Sequence, residues 1–352
     1  MTKALAFNKL PRPSTINDNI LLLTHIDADG AGATIITKSI FNNVTTKHCS
    51  NATMSKDILD NITSDENYDI IIACDISCDE LTGAIINKYL SENPNRKFVL
   101  IDHHMTAQTL NKYDWACVHP DMIDDSFRKD LYPSNKNGLS SGTGLLYDYM
   151  DYFTFTDYVR NDRLLKHLVH LISAYDTWDW VNVFNSNTEF KTISSLCMLY
   201  GIDLFEEEMI QRINSPDIST DNYITATDEL LIKIENNKIQ EYIKSISKCF
   251  TAATMYLQNE LYTFVFCSAD KYHAEVFEAM KQNYPNKDLY IINYGNGISI
   301  RSVKPHINVG ELVKPFSGGG HPGAGGFKIP FEAQKHYLEL AMGTAIITLP
   351  KE

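Results

Sequence analysis

The chain has 352 residues, enough for two domains at the usual ~100–200 residues each. Its hydrophobic content of 44% and charged content of 21% are those of a globular protein, and no stretch reaches the ~18 apolar residues of a membrane span. A net charge of −13 excludes a generic basic surface for long duplex nucleic acid, but leaves room for short anionic substrates held by bound metal and a few local cations.

Residues 20–23 form the first strand, which runs into Thr24-His25-Ile26-Asp27-Ala28-Asp29-Gly30. Gly30-Ala31-Gly32-Ala33 then opens a helix through about Phe41, and its small residues let it start close to the strand and to a ligand. A dinucleotide-binding turn is disfavoured: Gly-x-Gly-x-x-Gly and the phosphate-loop Lys-Ser/Thr are absent, and two carboxylates would repel a pyrophosphate. A second strand is predicted at 44–49, a short helix at 57–62, and a buried strand at 70–73 that ends in Asp75. Residues 79–90 read as an amphipathic helix with Leu81, Ile85, Ile86 and Tyr89 on one face. Residues 98–101 are four apolar residues that run straight into Asp102, His103 and His104. Short apolar runs of this kind fit buried strands of a parallel sheet, whose carboxyl edge is where ligands bind. Three such strands each deliver acids or imidazoles to that edge.

Residues 120–138 read as a polar loop, and Ser141-Gly142-Thr143-Gly144 leads into a helix to about Tyr152. Asn161 or Asp162 caps the next helix, which ends beside Asp176, a fourth candidate acid. His167 and His170, three apart on it, read as a packed or solvated pair rather than as ligands. Residues 200–221 are the predicted inter-domain region, followed by one long helix over 224–246. The second domain is predicted to hold strands at 260–267, 289–294 and 298–303, the last two joined at Asn296-Gly297, and helices at 274–282 and 309–316. It ends in the run Ser317 to Phe327, where glycines around His321 let backbone N–H groups approach an anion. Seven scattered cysteines without a Cys-x-x-Cys pair predict reduced thiols in a cytoplasmic protein, with Cys74 a buried strand residue.

His25, Asp27, Asp29, Asp75, His103 and Asp176 make a mixed nitrogen and oxygen set. Its carboxylates cannot crowd together ionised without cations. Two divalent ions roughly 3.5–4 Å apart would resolve that and suit phosphoryl chemistry. A carboxylate-rich set with some imidazole favours Mn²⁺, with Mg²⁺, Fe²⁺ or Co²⁺ as substitutes. No Gly-x-Ser-x-Gly elbow and no His-Glu-x-x-His offers a different machinery.

Taken in order, His25-x-Asp27-x-Asp29-Gly30, Asp75, Asp102-His103-His104, Asp176 and the glycine-rich stretch with Arg301-Ser302 before it resemble the motifs of the DHH/DHHA1 phosphoesterase superfamily. The resemblance runs over roughly residues 18–330. It implies an α/β protein with a mostly parallel sheet flanked by helices over 1–195 (the DHH domain). A helical connector over 196–247 and a smaller α/β DHHA1 domain over 248–352 would follow, with the active site in the interdomain cleft. By the same resemblance, His25, Asp27 and Asp75 would hold one Mn²⁺, and Asp29, Asp75, His103 and Asp176 the other. His104 would touch the scissile phosphate and Asp102 would orient the imidazoles. Arg301, His321 and the Gly319–Gly320 backbone would hold the substrate's end, with Ser141 lining the site. The short spacing of His25 and Asp27 leans toward nanoRNA-degrading oligoribonucleases and RecJ-type exonucleases. The resemblance thus implies a Mn²⁺-dependent phosphodiesterase acting on short RNA or linear dinucleotides, without a membrane and compatible with a homodimer. Its rivals are a pAp or cyclic-dinucleotide phosphoesterase and a catalytically silent nucleotide-binding regulator.

Overall fold

In the computed structural model, residues 3–50, 52–121, 139–182 and 188–342 are described. Five short strands form the first sheet: β1 (Asn19–His25), β2 (Asn43–Cys49), β3 (Ile70–Cys74), β4 (Phe98–Asp102) and β5 (Ala116–Val118). Their order is β2-β1-β3-β4-β5 and every pair is parallel. Parallel neighbours need crossovers, supplied here by the helices Ala28–Ile40, Met54–Ile62 and Glu80–Glu92. Helices cover both faces, so β3 and β4 are buried along their whole length, which is why their sequences are unbroken apolar runs. Successive residues serve opposite cores. Ile20, Leu22, Ile70, Ile72, Val99 and Ile101 enter one, and Leu21, Leu23, Ile71, Ala73, Phe98 and Leu100 the other.

Two local expectations change. The inner face of Glu80–Glu92 is Gly83 and Ile86, with Leu90 half-buried behind them, while Leu81 is 73% exposed. The buried stripe follows the 83-86-90 spacing, so the 81-85 pair of the same apolar pattern faces outward. Strand β5 is three residues long, too short for any periodicity to announce it. Of the polar loop at 120–138, residues 122–138 lie outside the described residues.

The segment read as inter-domain is instead built into the first core. The helices Thr188–Tyr200 and Ile202–Asn214 bury Phe190, Ile193, Leu196, Phe205, Met209 and Ile213 there. The chain divides into two units, Met1–Ile232 and Lys233–Glu352, so the division falls inside the helix Ala226–Ile246. All seven cysteines are free, and Cys74 is buried in β3. Among the described residues no helix is long and apolar enough to cross a membrane.

The second unit holds a six-stranded mixed sheet in the order β10-β11-β9-β8-β7-β6. Its strands are β6 (Thr251–Leu257), β7 (Glu260–Ser268), β8 (Leu289–Asn293), β9 (Gly297–Arg301), β10 (Gly319–His321) and β11 (Ala324–Lys328). Only β7 and β8 pair in parallel, joined by the helix His273–Asn283; β8 and β9 form the expected hairpin. Edge strand β6 escapes sequence reading because most of its residues are exposed and no alternation marks it. The glycine-rich run folds into the hairpin β10–β11. Gly320 sits at φ 151°, and a Cβ there would lie 2.3 Å from the Ala324 carbonyl oxygen, so any side chain would open the hairpin.

Candidate active site

The order β2-β1-β3-β4-β5 reverses direction between β1 and β3, and in such sheets ligands bind beyond the carboxyl ends of the strands at that point. His25 ends β1, Asp75 follows β3, and Asp102 ends β4 with His103 and His104 after it. Asp27 caps the helix Ala28–Ile40, its Oδ1 accepting from Asp29 N at 3.1 Å and Gly30 N at 3.0 Å. Its other oxygen, Oδ2, lies 2.6 Å from His25 Nδ1. Asp176 is the last residue of the helix Asp162–Asp176.

These side chains converge. One ligand atom each of His25, Asp27 and Asp75 lie within 4.8 Å of one another, and so do those of Asp29, His103 and Asp176. His103 Nε2 is 3.3 Å from Asp75 Oδ1, 3.7 Å from Asp176 Oδ2 and 3.9 Å from Asp29 Oδ2, which joins the two groups. Asp102 is fully buried behind them. Its Oδ1 accepts from His103 N at 2.8 Å and holds His104 Nδ1 at 2.8 Å, leaving the His104 ring about half exposed.

Asp29 is seated by a device that sequence reading missed. Its Oδ2 accepts from Gly142 N at 2.6 Å and its Oδ1 from Thr143 N at 2.9 Å, at the amino end of the helix Gly142–Tyr152. Helix N–H groups that lack an intrahelical partner suit a carboxylate. The approach needs glycine: a Cβ on Gly142 would lie 2.5 Å from Asp75 Cβ and 3.0 Å from Asp29 Oδ2. The only signal was the small-residue run Ser-Gly-Thr-Gly before a helical pattern. Ser141, expected against substrate, is fully buried as the cap of this helix. Its hydroxyl accepts from Gly144 N at 3.0 Å and bonds Ser173 Oγ at 2.8 Å, so it stands behind Asp29.

The electrostatics are those of carboxylates crowded together out of water. Burial first, and then repulsion from Asp29 and Asp27, pushes both Asp75 and Asp176 well above the usual carboxylate range. Asp75 Oδ2 is buried with no hydrogen-bond partner, and Asp75 holds a left-handed backbone at φ 58°. Such a residue persists only where its surroundings fix it, as at functional sites. Asp27 is held below its usual range against the effect of burial, by His25 and by the amides it caps. The hydrogen bond to Asp102 pushes His104 up to about 9. A buried, orphaned carboxylate among like charges and imidazole nitrogens is the donor set for divalent ions, so these residues fit a metal cluster.

The other expected residues belong to the second unit. Arg301 ends β9 with its guanidinium 5.0 Å from the centre of the Phe277 ring. By register, Arg301 stands opposite Ala324, which stands opposite His321, so the three occupy one row across β9, β11 and β10. Gly319 and Gly320 precede His321 on β10, and the His321 side chain lies outside the described residues. In the first unit, His167 and His170 are buried, with His167 Nε2 3.0 Å from Glu189 Oε1, as a packed pair requires.

Residues 19–174 match the DHH family, N-terminal domain. That match lies within the first unit and takes in β1 to β5 and most of the helix Asp162–Asp176. The chain is 26% identical over 329 residues to the oligoribonuclease NrnB of Bacillus subtilis, covering 90% of this chain and 74% of that protein. It is 22% identical over 356 aligned positions to a 3′,5′-cyclic-nucleotide phosphodiesterase of Helicobacter pylori, covering 87% of this chain and 92% of the relative. Among solved structures, a pGpG-specific phosphodiesterase from Vibrio cholerae superposes with a TM-score of 0.49 at 14% identity, over 92% of this chain and 98% of its own.

Proposed function

We propose that this DHH phosphoester hydrolase degrades short RNA oligonucleotides to mononucleotides with two Mn²⁺ ions. The observation that carries the reading is the convergence of His25, Asp27, Asp29, Asp75, His103 and Asp176 at the carboxyl edge of a parallel sheet. Similarity to an oligoribonuclease over 90% of the chain supports the substrate class. In this reading His25, Asp27 and Asp75 hold one ion and Asp29, Asp75, His103 and Asp176 the other. Asp75, which reaches the first group and lies 3.3 Å from His103, would serve both sets. Each Asp29 oxygen accepts one amide N–H and keeps a second lone pair for an ion.

When bound, such ions stabilise the charge that develops on the phosphate and activate the attacking water. The rest falls to the chain's own groups. His104, carrying its proton well above neutral pH, would donate to a phosphate oxygen. Buried Asp102 holds the His104 ring from behind through Nδ1, leaving Nε2 to face substrate. Ser141 acts as a positioning residue, since it fixes the helix end that seats Asp29. Arg301, His321 and the Gly319–Gly320 amides would bind the far end of the substrate and limit its length.

The similarity to a cyclic-nucleotide phosphodiesterase motivates a second reading, hydrolysis of a 3′,5′-cyclic mononucleotide at the same cluster. The test is kcat/KM with Mn²⁺ for RNA of two, five and twenty-four nucleotides and for 3′,5′-cyclic AMP. The proposal expects the two- and five-nucleotide substrates to exceed the cyclic nucleotide and the long RNA at least tenfold. A preference for the cyclic nucleotide would replace the first reading with the second.

A further inference from the structure

A second cluster of titratable side chains lies on the first unit, on the far side of β1 from His103. His48, on β2, stands opposite Thr24 in the sheet, and its Nδ1 lies 3.0 Å from the His25 carbonyl oxygen. A carbonyl only accepts, so Nδ1 carries the proton and donates. The other ring nitrogen, Nε2, faces the helix Ile202–Asn214. There, His48 Nε2 and one carboxylate oxygen each of Asp203 and Glu206 lie within 4.8 Å of one another.

Glu206 sets this cluster apart from ordinary surface acids. Its side chain is only 4% exposed, and its Oε1 has no hydrogen-bond partner. His48 Nε2 is likewise buried without one, although the two atoms face each other at 3.0 Å. At that distance a well-aligned N–H would make a hydrogen bond, so the pair is close but misaligned. Lys38 Nζ is 3.7 Å from the other oxygen, Oε2, on a side chain 36% exposed. A buried carboxylate oxygen and a buried ring nitrogen that meet at 3.0 Å without an aligned hydrogen bond are placed as two ligands of one ion would be.

We propose that His48, Asp203 and Glu206 form a further divalent-cation site, separate from the strand-end cluster and suited to a zinc-class first-row ion. One imidazole and two carboxylates leave a position for water, the arrangement of an open three-ligand site. The Nδ1–H bond to a backbone carbonyl is the outer-sphere contact that fixes a ligating histidine's tautomer, and it aims the Nε2 lone pair at the two acids. The carbonyl belongs to His25, so an ion here braces the backbone at the end of β1.

The test uses the full chain, stripped with chelator and dialysed against buffered Zn²⁺, with bound zinc counted per chain by mass spectrometry. Wild type is compared with Glu206→Gln, His48→Gln and the exposed-site variant Asp203→Asn, which leaves the buried pair in place. Each variant is expected to lose one zinc per chain relative to wild type while the ions of the strand-end cluster remain. An equal zinc count in wild type and in the folded variants would overturn the proposal. If the buried-site variants fail to fold, anomalous diffraction at the zinc edge on the wild type decides. A peak between the three side chains supports the site, and its absence overturns it.

Discussion

Asp75→Asn should abolish hydrolysis and yet make the metal-free protein more stable. The ligand oxygens of Asp75 and Asp27 lie within 4.8 Å, where the two carboxyls, once both are ionised, repel by about 3.5 kcal/mol at an effective dielectric constant of ~20. His25, bonded to Asp27, offsets part of this, so neutralising Asp75 with an amide of the same size should stabilise by about 1–3 kcal/mol. In a unit of this size that raises Tm by about 2–10 °C. The folded-state pKa of Asp75 is raised, so the native state binds the proton more tightly than the unfolded chain. Wild-type stability without metal therefore falls as pH rises from the ordinary carboxylate range through the raised folded value, and the variant falls less. Thermal melts at pH 7, with chelator and with saturating Mn²⁺, measure both halves. Mn²⁺ should raise Tm of wild type by several degrees more than that of Asp75→Asn. A variant that melts below wild type in chelator, or that gains as much from Mn²⁺, would refute the electrostatic reasoning.

Gly142→Ala places a methyl 2.5 Å from Asp75 Cβ, and the shift it forces on two ligand carboxylates should cost at least about 100-fold in kcat with a fold intact by circular dichroism. Asp102→Asn removes the carboxylate charge beside His104, so the imidazole should titrate back toward its ordinary range from about 9, read by NMR on the metal-free protein. Arg212→Met removes the cation paired with fully buried Asp228, which accepts from Arg212 Nη1 at 2.8 Å and keeps its hydrogen bonds from Tyr200 Oη, Thr225 N and Thr225 Oγ1. Denaturant unfolding should show a loss of about 1.5–3 kcal/mol, the size of a lost hydrogen bond to a charged group.

The strands that carry the site were readable because burial on both faces demands apolar runs, and a run that stops at Asp75 or at Asp102 announces a sheet edge. What could not be read is where several elements meet. Nothing in Ser141-Gly142-Thr143 says that its amides will meet Asp29, more than a hundred residues earlier in the chain. The apolar pattern of 81–90 fits two helix faces, and tertiary contact chose the one through Gly83 and Ile86. Residues 200–221 read as inter-domain around the turn Asn214-Ser215-Pro216-Asp217, yet Phe205, Met209 and Ile213 on the helix before that turn bury it in the first core. His48 carried no motif at all, since its partners come from a helix about 155 residues on.

The most direct measurement is hydrolysis of an RNA pentamer, labelled at either its 5′ or its 3′ end, by the wild type with Mn²⁺, with chelator, and by Asp75→Ala with Mn²⁺. Stepwise loss of mononucleotides from one end, seen only with wild type and Mn²⁺, is the predicted result. An intact pentamer under conditions where the wild type turns over 3′,5′-cyclic AMP, or cleavage that survives Asp75→Ala, would contradict a metal-dependent oligoribonuclease.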